Sequence, residues 1–143
     1  MTVFVDSGVF YAQVDREATR HDSATAALDA VLDGRYGQPI TSDYVYDETV
    51  TLTLARTSSH ELATTVGQRL RGGGDFTRVV KLHHVTPTVF ETAVDVFERY
   101  DDQRLSFTDA TTIALVEAEG LDCVLSFDDD FDGIVDRLDP AEA

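Results

Sequence analysis

Val3-Phe4-Val5-Asp6 is the segment from which the fold can be worked out, because three apolar residues are followed at once by an acid. The run is short and apolar throughout, without the alternation of apolar and polar residues that a half-buried strand shows, so we predict a buried strand. Residues 121–127 have the same character, and Asp128 comes directly after them. In an open α/β sheet, ligands bind beyond the carboxyl ends of the strands. We therefore expect Asp6 and Asp128 to project into one crevice.

Helical patterns lie between the segments with strand character. The predicted strands cover residues 3–5, 39–41, 78–83 and 121–127. The predicted helices, with their capping residues, cover 8–15, 21–32, 42–56, 59–70, 86–100, 107–119 and 131–138. Strands separated by helices predict an α/β layer fold with a mainly parallel sheet. No repeat or linker divides residues 1–143, so we expect a single domain.

Composition excludes several classes of protein. The single cysteine, Cys123, rules out an intramolecular disulfide and is compatible with a reducing compartment. The first basic residue is Arg16 and the N-terminal apolar run ends at Asp6, which does not match a secretory signal. No run approaches the roughly 18 apolar residues that suggest a membrane span. We expect a cytoplasmic protein without a membrane partner.

The net charge of −16 is unusual, with 27 acidic residues against 11 basic ones. Only Lys81 is a lysine, and such a composition resembles that of proteins from salt-accumulating organisms. We therefore expect a halophilic protein, the alternative being a merely acidic protein of ordinary salt. Because high salt screens charge, the acidity is not evidence against a nucleic-acid substrate. Residues 56–84, with five basic and two acidic groups, form the only locally basic stretch.

Two further acids occupy positions where a chain usually has apolar or capping groups. On a helix, Glu48 shares a stripe with Val45 and Leu52, and no basic residue lies within one turn of it. The alternative is that this stripe faces water. Asp109 forms a capping-box pattern with Ser106, and an acid in a first helical turn can cap and still face a cleft.

A cluster of carboxylates repels itself unless something compensates it, and hard cations such as Mg²⁺ do so with oxygen ligands. If Asp6, Glu48, Asp109 and Asp128 converge, the sequence predicts metal-dependent phosphoryl chemistry. The acidic run 128–130 is ambiguous by itself, because such runs are usually solvated. Asp128 is preferred because it follows the strand directly, and Asp130 is an additional candidate ligand.

Other chemistries have less support. His83 and His84 lack partners at zinc-site spacing. The glycine run 72–74 is not followed by the Lys-Ser/Thr of a phosphate-binding loop. No serine lies in the Gly-x-Ser-x-Gly pattern of α/β hydrolases.

Four segments together resemble a PIN domain: residues 3–7, the helix around Glu48, residues 105–110 and residues 125–131. The resemblance covers nearly the whole chain in the right order, and the last two segments look especially like VapC-type toxins, the ribonuclease halves of toxin–antitoxin pairs. Ser7 stands where many members have threonine, which should still let a hydroxyl orient Asp6. Thr108 and Ser126 are the other candidate supporting hydroxyls.

The resemblance implies a three-layer α/β/α fold with a five-stranded, mainly parallel sheet. It implies Mg²⁺ or Mn²⁺ held by the four acids, cleavage of RNA, a homodimer and inhibition by a cognate antitoxin. The basic stretch would then hold RNA phosphates, and its candidate residues are Arg69, Arg71, Arg78 and Lys81. Two alternatives stay open. One is a non-catalytic PIN-like module that binds RNA or protein, and the other is a different metal-dependent phosphatase or nuclease.

Overall fold

Five parallel strands form one sheet, which helices cover on both sides to give three α/β/α layers. The computed structural model describes residues 1–76 and 78–143. The strands are β1 (Thr2–Val5), β2 (Gln38–Ser42), β3 (Lys81–His83), β4 (Cys123–Leu125) and β5 (Arg137–Leu138). The helices are α1 (Ser7–Val14), α2 (His21–Leu32), α3 (Asp43–Thr57), α4 (His60–Arg71), α5 (Pro87–Arg99) and α6 (Phe107–Glu119). The predicted fold class is confirmed.

The strand order is β3-β2-β1-β4-β5, so the first strand lies in the middle of the sheet. Phe4 of β1 pairs with Ile40 of β2 on one side and with Val124 of β4 on the other. The chain builds the sheet outward from β1 in one direction and then returns to build it in the other. The carboxyl ends of β1 and β4 therefore flank the point where ligands bind in open α/β sheets.

The central position of β1 explains its sequence. Val3, Phe4 and Val5 are completely buried, because a strand in the middle of a parallel sheet is covered by helices on both faces. Val124 and Leu125 of β4 are equally buried. These strands end where the first polar residue appears, and this places acidic side chains at the edge of the core.

Capping side chains fix where the helices begin. Ser42, Thr86 and Ser106 each accept a hydrogen bond from the backbone N–H three residues later, at 3.1, 3.2 and 3.0 Å. Such bonds satisfy N–H groups that have no partner inside the helix. The predicted starts of α3, α5 and α6 are thereby confirmed.

The predicted C-terminal helix over residues 131–138 is wrong. A short 3₁₀ helix, Asp129–Phe131, is followed by an irregular segment and then by β5. Gly133 has a φ of 85°, a left-handed conformation that interrupts a right-handed helix. Beyond it, Leu138 pairs with Leu125, so the segment completes the sheet.

The predicted strands at 78–83 and 121–127 are shorter than expected, since only Lys81–His83 and Cys123–Leu125 are paired. Within residues 1–76 and 78–143, none of the helices is long and apolar enough to cross a membrane.

Candidate active site

Asp6 follows β1 and is the N-cap of α1, so one residue ends a strand and begins a helix. Its Oδ1 accepts a hydrogen bond from the Ser7 backbone N–H at 2.9 Å, and its Oδ2 accepts one from the Ser126 hydroxyl at 2.7 Å. Only 5% of the residue is exposed. The carboxyl ends of β1 and β4 are therefore joined by a hydrogen bond to a carboxylate.

Glu48 lies on α3, half-buried, while its neighbour Asp47 is exposed. The Ser7 hydroxyl donates a short hydrogen bond to Oε1 of Glu48. The partner that a carboxylate on this stripe needs is thus a hydroxyl from α1. Ser7 orients Glu48 with its side chain and Asp6 with its backbone N–H. The hydroxyl that donates to Asp6 belongs to Ser126, not to Ser7 as the sequence suggested.

Asp109 is in the first turn of α6 and is 6% exposed. Its backbone N–H donates to the Ser106 hydroxyl, and its Oδ2 accepts from the Ser106 backbone N–H, both at 3.0 Å. This capping box holds the carboxylate at the start of the helix. The carbonyl of Thr108 accepts hydrogen bonds from the Thr111 and Thr112 hydroxyls.

Asp128 follows the end of β4 by three residues and caps the short 3₁₀ helix, because its Oδ1 accepts from the Asp130 backbone N–H at 2.9 Å. Its own backbone N–H donates to the Ser126 hydroxyl at 3.0 Å. Ser126 therefore contacts two of the four acids and fixes their relative position.

All four predicted acids line one cavity of about 570 Å³. Its lining residues are Asp6, Ser7, Gly8, Arg20, Glu48, Arg104, Ser106, Asp109, Ser126, Phe127, Asp128 and Asp129. Two other predicted residues, Asp130 and Thr108, are not among them. Asp129, which was not predicted, does line the cavity. Carboxylate oxygens of Asp128, Asp129 and Asp130 nevertheless lie within 4.8 Å of one another beside the cavity.

Burial makes the site unfavourable for uncompensated negative charge. It raises the pKa of Asp6 to about 6, against the lowering effect of the hydrogen bonds from Ser126 and Ser7. Burial also raises the pKa of Asp109 to about 7, and repulsion from Asp6 adds to the effect. A cation among these oxygens would favour the charged carboxylates. The donor set, oxygen only and strongly anionic, fits Mg²⁺ or Mn²⁺.

Two arginines that sequence reasoning missed, Arg20 and Arg104, line the same cavity. Both lie in or beside acidic stretches of the sequence, so a count of regional charge does not single them out. One local signal exists, since Arg104 stands two residues before the N-cap of the helix that carries Asp109. A cation so close to a site residue along the chain must also be close in space.

The residues predicted to bind RNA lie outside this cavity. Arg69 lines a separate cavity, donates to Oε1 of Gln13 at 2.5 Å and lies 5.2 Å from the Phe76 ring centre. Arg78 donates to the backbone carbonyl of Arg71 at 3.1 Å. Lys81 is exposed on the edge strand β3. That these side chains contact RNA stays a prediction.

Comparison with known proteins places the chain in one family. The family model of the PIN domain matches residues 3–136. The chain therefore belongs to the PIN domain family.

Relatives of known activity and structure are similar over nearly their whole length. The 23S rRNA-specific endonuclease VapC20 of Mycobacterium tuberculosis is 30% identical over 132 residues, which cover 90% of this chain and 91% of that protein. The crystal structure of M. tuberculosis VapC20, described as a Sarcin-Ricin loop cleaving toxin, superposes with a TM-score of 0.75 at 29% identity. That superposition covers 90% of this chain and 92% of that one.

More distant structures share the fold. A toxin–antitoxin complex from Klebsiella pneumoniae gives a TM-score of 0.66 at 16% identity and covers 99% of both chains. VapBC2 from Rickettsia felis, bound to a DNA fragment from its promoter, gives a TM-score of 0.67 at 10% identity and covers 96% of this chain and 98% of that one.

Proposed function

We propose that this protein is a metal-dependent endoribonuclease and the toxin of a VapBC-type toxin–antitoxin pair. The observation that carries the proposal is the convergence of four acids in one cavity, from the junction of β1 and α1, from α3, from α6 and from the loop after β4. The relationship to VapC20 over 90% of the chain supports RNA as the substrate.

Asp6, Glu48, Asp109 and Asp128 would hold Mg²⁺ or Mn²⁺, and Asp130 is the additional candidate. When bound, the ion would act as a Lewis acid on a phosphodiester oxygen and make water a stronger nucleophile. The protein supplies fixed carboxylate positions through hydrogen bonds from Ser126 and Ser7. Such preorganisation avoids reorganising charged groups during the reaction.

Arg20 and Arg104 line a cavity that must accept RNA, with its phosphates, among carboxylates. A guanidinium presents several N–H donors in a plane and suits bidentate contact with phosphate oxygens. These two residues would therefore offset the repulsion between the anionic backbone of RNA and the acidic site.

We further propose a cognate antitoxin and a homodimer as partners. Related folds have been solved as toxin–antitoxin complexes, which supports the first. For the second, Phe90 and Phe97 of α5 are 39% and 46% exposed, with ring centres 5.4 and 6.0 Å from that of Phe107. Exposed aromatic surface of this kind favours contact with another protein surface. Analytical ultracentrifugation would measure the oligomeric state.

RNA cleavage by wild type and Asp6→Asn tests the proposed activity. The substrate is an RNA hairpin with the sarcin–ricin loop sequence, incubated at high KCl with Mg²⁺, with Mn²⁺ or with a chelator. Asparagine caps helices as well as aspartate does, so the start of α1 should be preserved. Asp47→Asn is the matched control, because Asp47 is exposed beside Glu48 and the charge change is the same.

We expect cleavage only with a divalent ion, a loss of about 10²-fold or more in Asp6→Asn, and no loss in Asp47→Asn. Full activity in Asp6→Asn would show that the assigned site is wrong. Binding of the RNA by wild type without cleavage under any metal condition would favour the alternative, a non-catalytic PIN-like module.

A further inference from the structure

A second cavity, of about 580 Å³, adjoins the acidic one. Its lining residues are Gly8, Tyr11, Ala12, Glu17, Ala18, Thr19, Arg20, Leu52, Arg56 and Phe127. Gly8, Arg20 and Phe127 line both cavities. The two spaces are therefore neighbours that share one wall.

The charge changes sign from one cavity to the other. The acidic cavity is lined by five carboxylates and two arginines, a balance of 2 − 5 = −3. The second cavity is lined by Arg20, Arg56 and the single acid Glu17, a balance of 2 − 1 = +1. In a chain with a net charge of −16, a locally positive surface beside the acidic site is where an anionic polymer meets least repulsion.

Arg20 stands at the boundary. Its guanidinium lies over the Phe127 ring, 4.8 Å from the ring centre, and the residue is exposed. A cation over an aromatic face is attracted by the ring electrostatically, and this contact leaves its N–H groups free to donate. Within residues 1–76 and 78–143, Arg20 takes part in no ion pair, so a carboxylate of the protein does not occupy those donors.

Arg56 lines the second cavity beyond this boundary. It is an exposed residue in the last turn of α3, with its guanidinium 5.1 Å from the ring centre of Tyr11. Tyr11 is held in turn by its hydroxyl, which donates to Oδ2 of Asp15 at 2.5 Å. Arg56 also forms no ion pair with a described residue. Two guanidinium groups, each beside an aromatic ring, thus line one open space.

Gly8 lies in the wall that the two cavities share and leaves space there, because it has no side chain. A Cβ placed on Gly8 would meet one described atom within 4 Å, Cδ2 of Phe127 at 4.0 Å. The space above this glycine is therefore free of protein, and it lies between the two cavities.

We propose that the second cavity is a subsite for a nucleotide adjacent to the one whose phosphodiester is cleaved, with its backbone phosphate bound by Arg20 and Arg56. The inference rests on the proposed ribonuclease activity and adds the path of the substrate. An unpaired nucleotide fits best, because splayed bases stack on arginine planes and aromatic rings. Arg20 and Arg56 are positioning residues, since they hold the strand and do not touch the reacting atoms.

The test compares Arg20→Gln/Arg56→Gln with Arg35→Gln/Arg99→Gln. Arg35 and Arg99 are also exposed and lie over tyrosine rings, at 5.9 and 6.0 Å from the ring centres of Tyr36 and Tyr100. Both double variants remove two positive charges, but the control residues line neither cavity. Kinetics are measured on the sarcin–ricin hairpin with Mn²⁺ over a series of KCl concentrations, and melting curves establish that each variant is folded.

We expect KM to rise about 10-fold or more in Arg20→Gln/Arg56→Gln while kcat at saturating RNA changes far less. The slope of log(1/KM) against log[KCl] should flatten by about 1.4, the value for two lost contacts to a single strand. Arg20→Lys/Arg56→Lys should recover part of the affinity, because lysine retains the charge without the planar fork. The control should keep the KM and salt slope of the wild type.

Wild-type KM and salt slope in Arg20→Gln/Arg56→Gln, with cleavage intact, would overturn the subsite and leave the ribonuclease proposal standing. An equal rise in KM in the control variant would also overturn it, because the effect would then belong to overall charge. Absence of cleavage by the wild type under every metal condition would overturn both proposals together.

Discussion

Burial and hydrogen bonding act on Asp6 in opposite directions. Burial raises the pKa of this carboxyl, the Ser126 and Ser7 hydrogen bonds lower it, and the balance is a value of about 6. Two donors that favour the anion are thus insufficient for a group with 5% exposure among other acids. A site of this kind is stable only when protons or a cation neutralise part of its charge.

The first prediction concerns pH. Without metal, stability should fall as pH rises from about 4 to about 7, because the pKa values of Asp6 and Asp109 are raised from 3.8 to about 6 and about 7. In that range the folded state holds protons that the unfolded state has released, and stability falls with pH wherever the folded state binds more protons. The loss should be at least about 2 kcal/mol.

Urea unfolding with a chelator, at one high KCl concentration and a series of pH values, measures this loss. Asp6→Asn/Asp109→Asn should show a flatter profile. An identical decline in the double variant would assign the effect to surface acids.

The second prediction concerns divalent ions. Millimolar Mg²⁺ or Mn²⁺ should raise the melting temperature of the wild type, because an ion that binds the folded state stabilises it by about 2.7 kcal/mol at 100 times its Kd. Differential scanning calorimetry at constant ionic strength measures the shift. Asp6→Asn/Asp109→Asn should lose it, and an equal shift in both proteins would mean that the ion only screens surface charge.

The third prediction concerns Gly8 and separates stability from substrate access. Gly8→Ala should leave stability unchanged or raise it by up to about 1 kcal/mol, since alanine is the better helix former and, among the described residues, its Cβ would approach Phe127 no closer than 4.0 Å. The same methyl group narrows the passage between the cavities, so the KM for the hairpin should rise. Thermal unfolding and RNA cleavage measure the two effects. A lowered melting temperature would show that the methyl group clashes with the protein, and therefore that no open passage exists at Gly8.

At the level of elements, strand β5 supports the site indirectly, through a contact with Ser126. Arg137 of β5 donates to the Ser126 carbonyl at 3.0 Å and pairs through Nε with Asp132 at 2.7 Å. Its side chain is 13% exposed. Because the Ser126 hydroxyl holds Asp6, the strand that sequence reasoning assigned to a helix contributes indirectly to the site.

The fourth prediction follows from that contact. Arg137→Met should destabilise the protein by about 1–3 kcal/mol, because the nearly buried Ser126 carbonyl loses its charged donor. Asp132→Asn is the comparison, since it removes only an exposed ion-pair partner and should cost about 1 kcal/mol or less. Urea unfolding measures both variants, and equal losses would show that the ion pair is the whole contribution of Arg137.

Apolar runs that end in an acid were enough to predict β1, β4 and the edge where Asp6 and Asp128 lie. Capping patterns were enough for α3, α5 and α6. Strand β5 could not be predicted, because its two residues form no apolar run and join the sheet by pairing with β4. Pairing with residues thirteen positions earlier in the chain is a tertiary property that local sequence does not contain.

The convergence of the four acids could be predicted from the sequence, but the hydrogen bonds that hold them could not. The Ser7 hydroxyl reaches Glu48, 41 residues away, and the Ser126 hydroxyl reaches Asp6 across 120 residues. Such contacts depend on strand order. The same reason explains why charge counted along the chain favoured residues 56–84, whereas the arginines that line the acidic cavity are Arg20 and Arg104.

At the scale of the whole molecule, the net charge of −16 produces repulsion that opposes the folded state in dilute salt. The fifth prediction is that stability falls as KCl is lowered from about 1 M to about 0.1 M, because the Debye length grows from about 3 Å to about 10 Å and repulsion is less screened. Urea unfolding midpoints across a KCl series measure it. A flat profile would contradict the halophilic interpretation.

The strand order also sets when, during synthesis, the site can first exist. β1 leaves the ribosome first, but its neighbour β4 is made about 120 residues later, with Val3 paired to Cys123. Contacts so distant along the chain form slowly and only after both partners are available. In a nascent chain that still lacks residues 123–128, Asp6 receives no hydrogen bond from the Ser126 hydroxyl, and the Asp128 carboxylate is missing from the cavity. The acidic cavity can therefore be completed only after residues 123–128 have left the ribosome, long after β1 and α1 have been made.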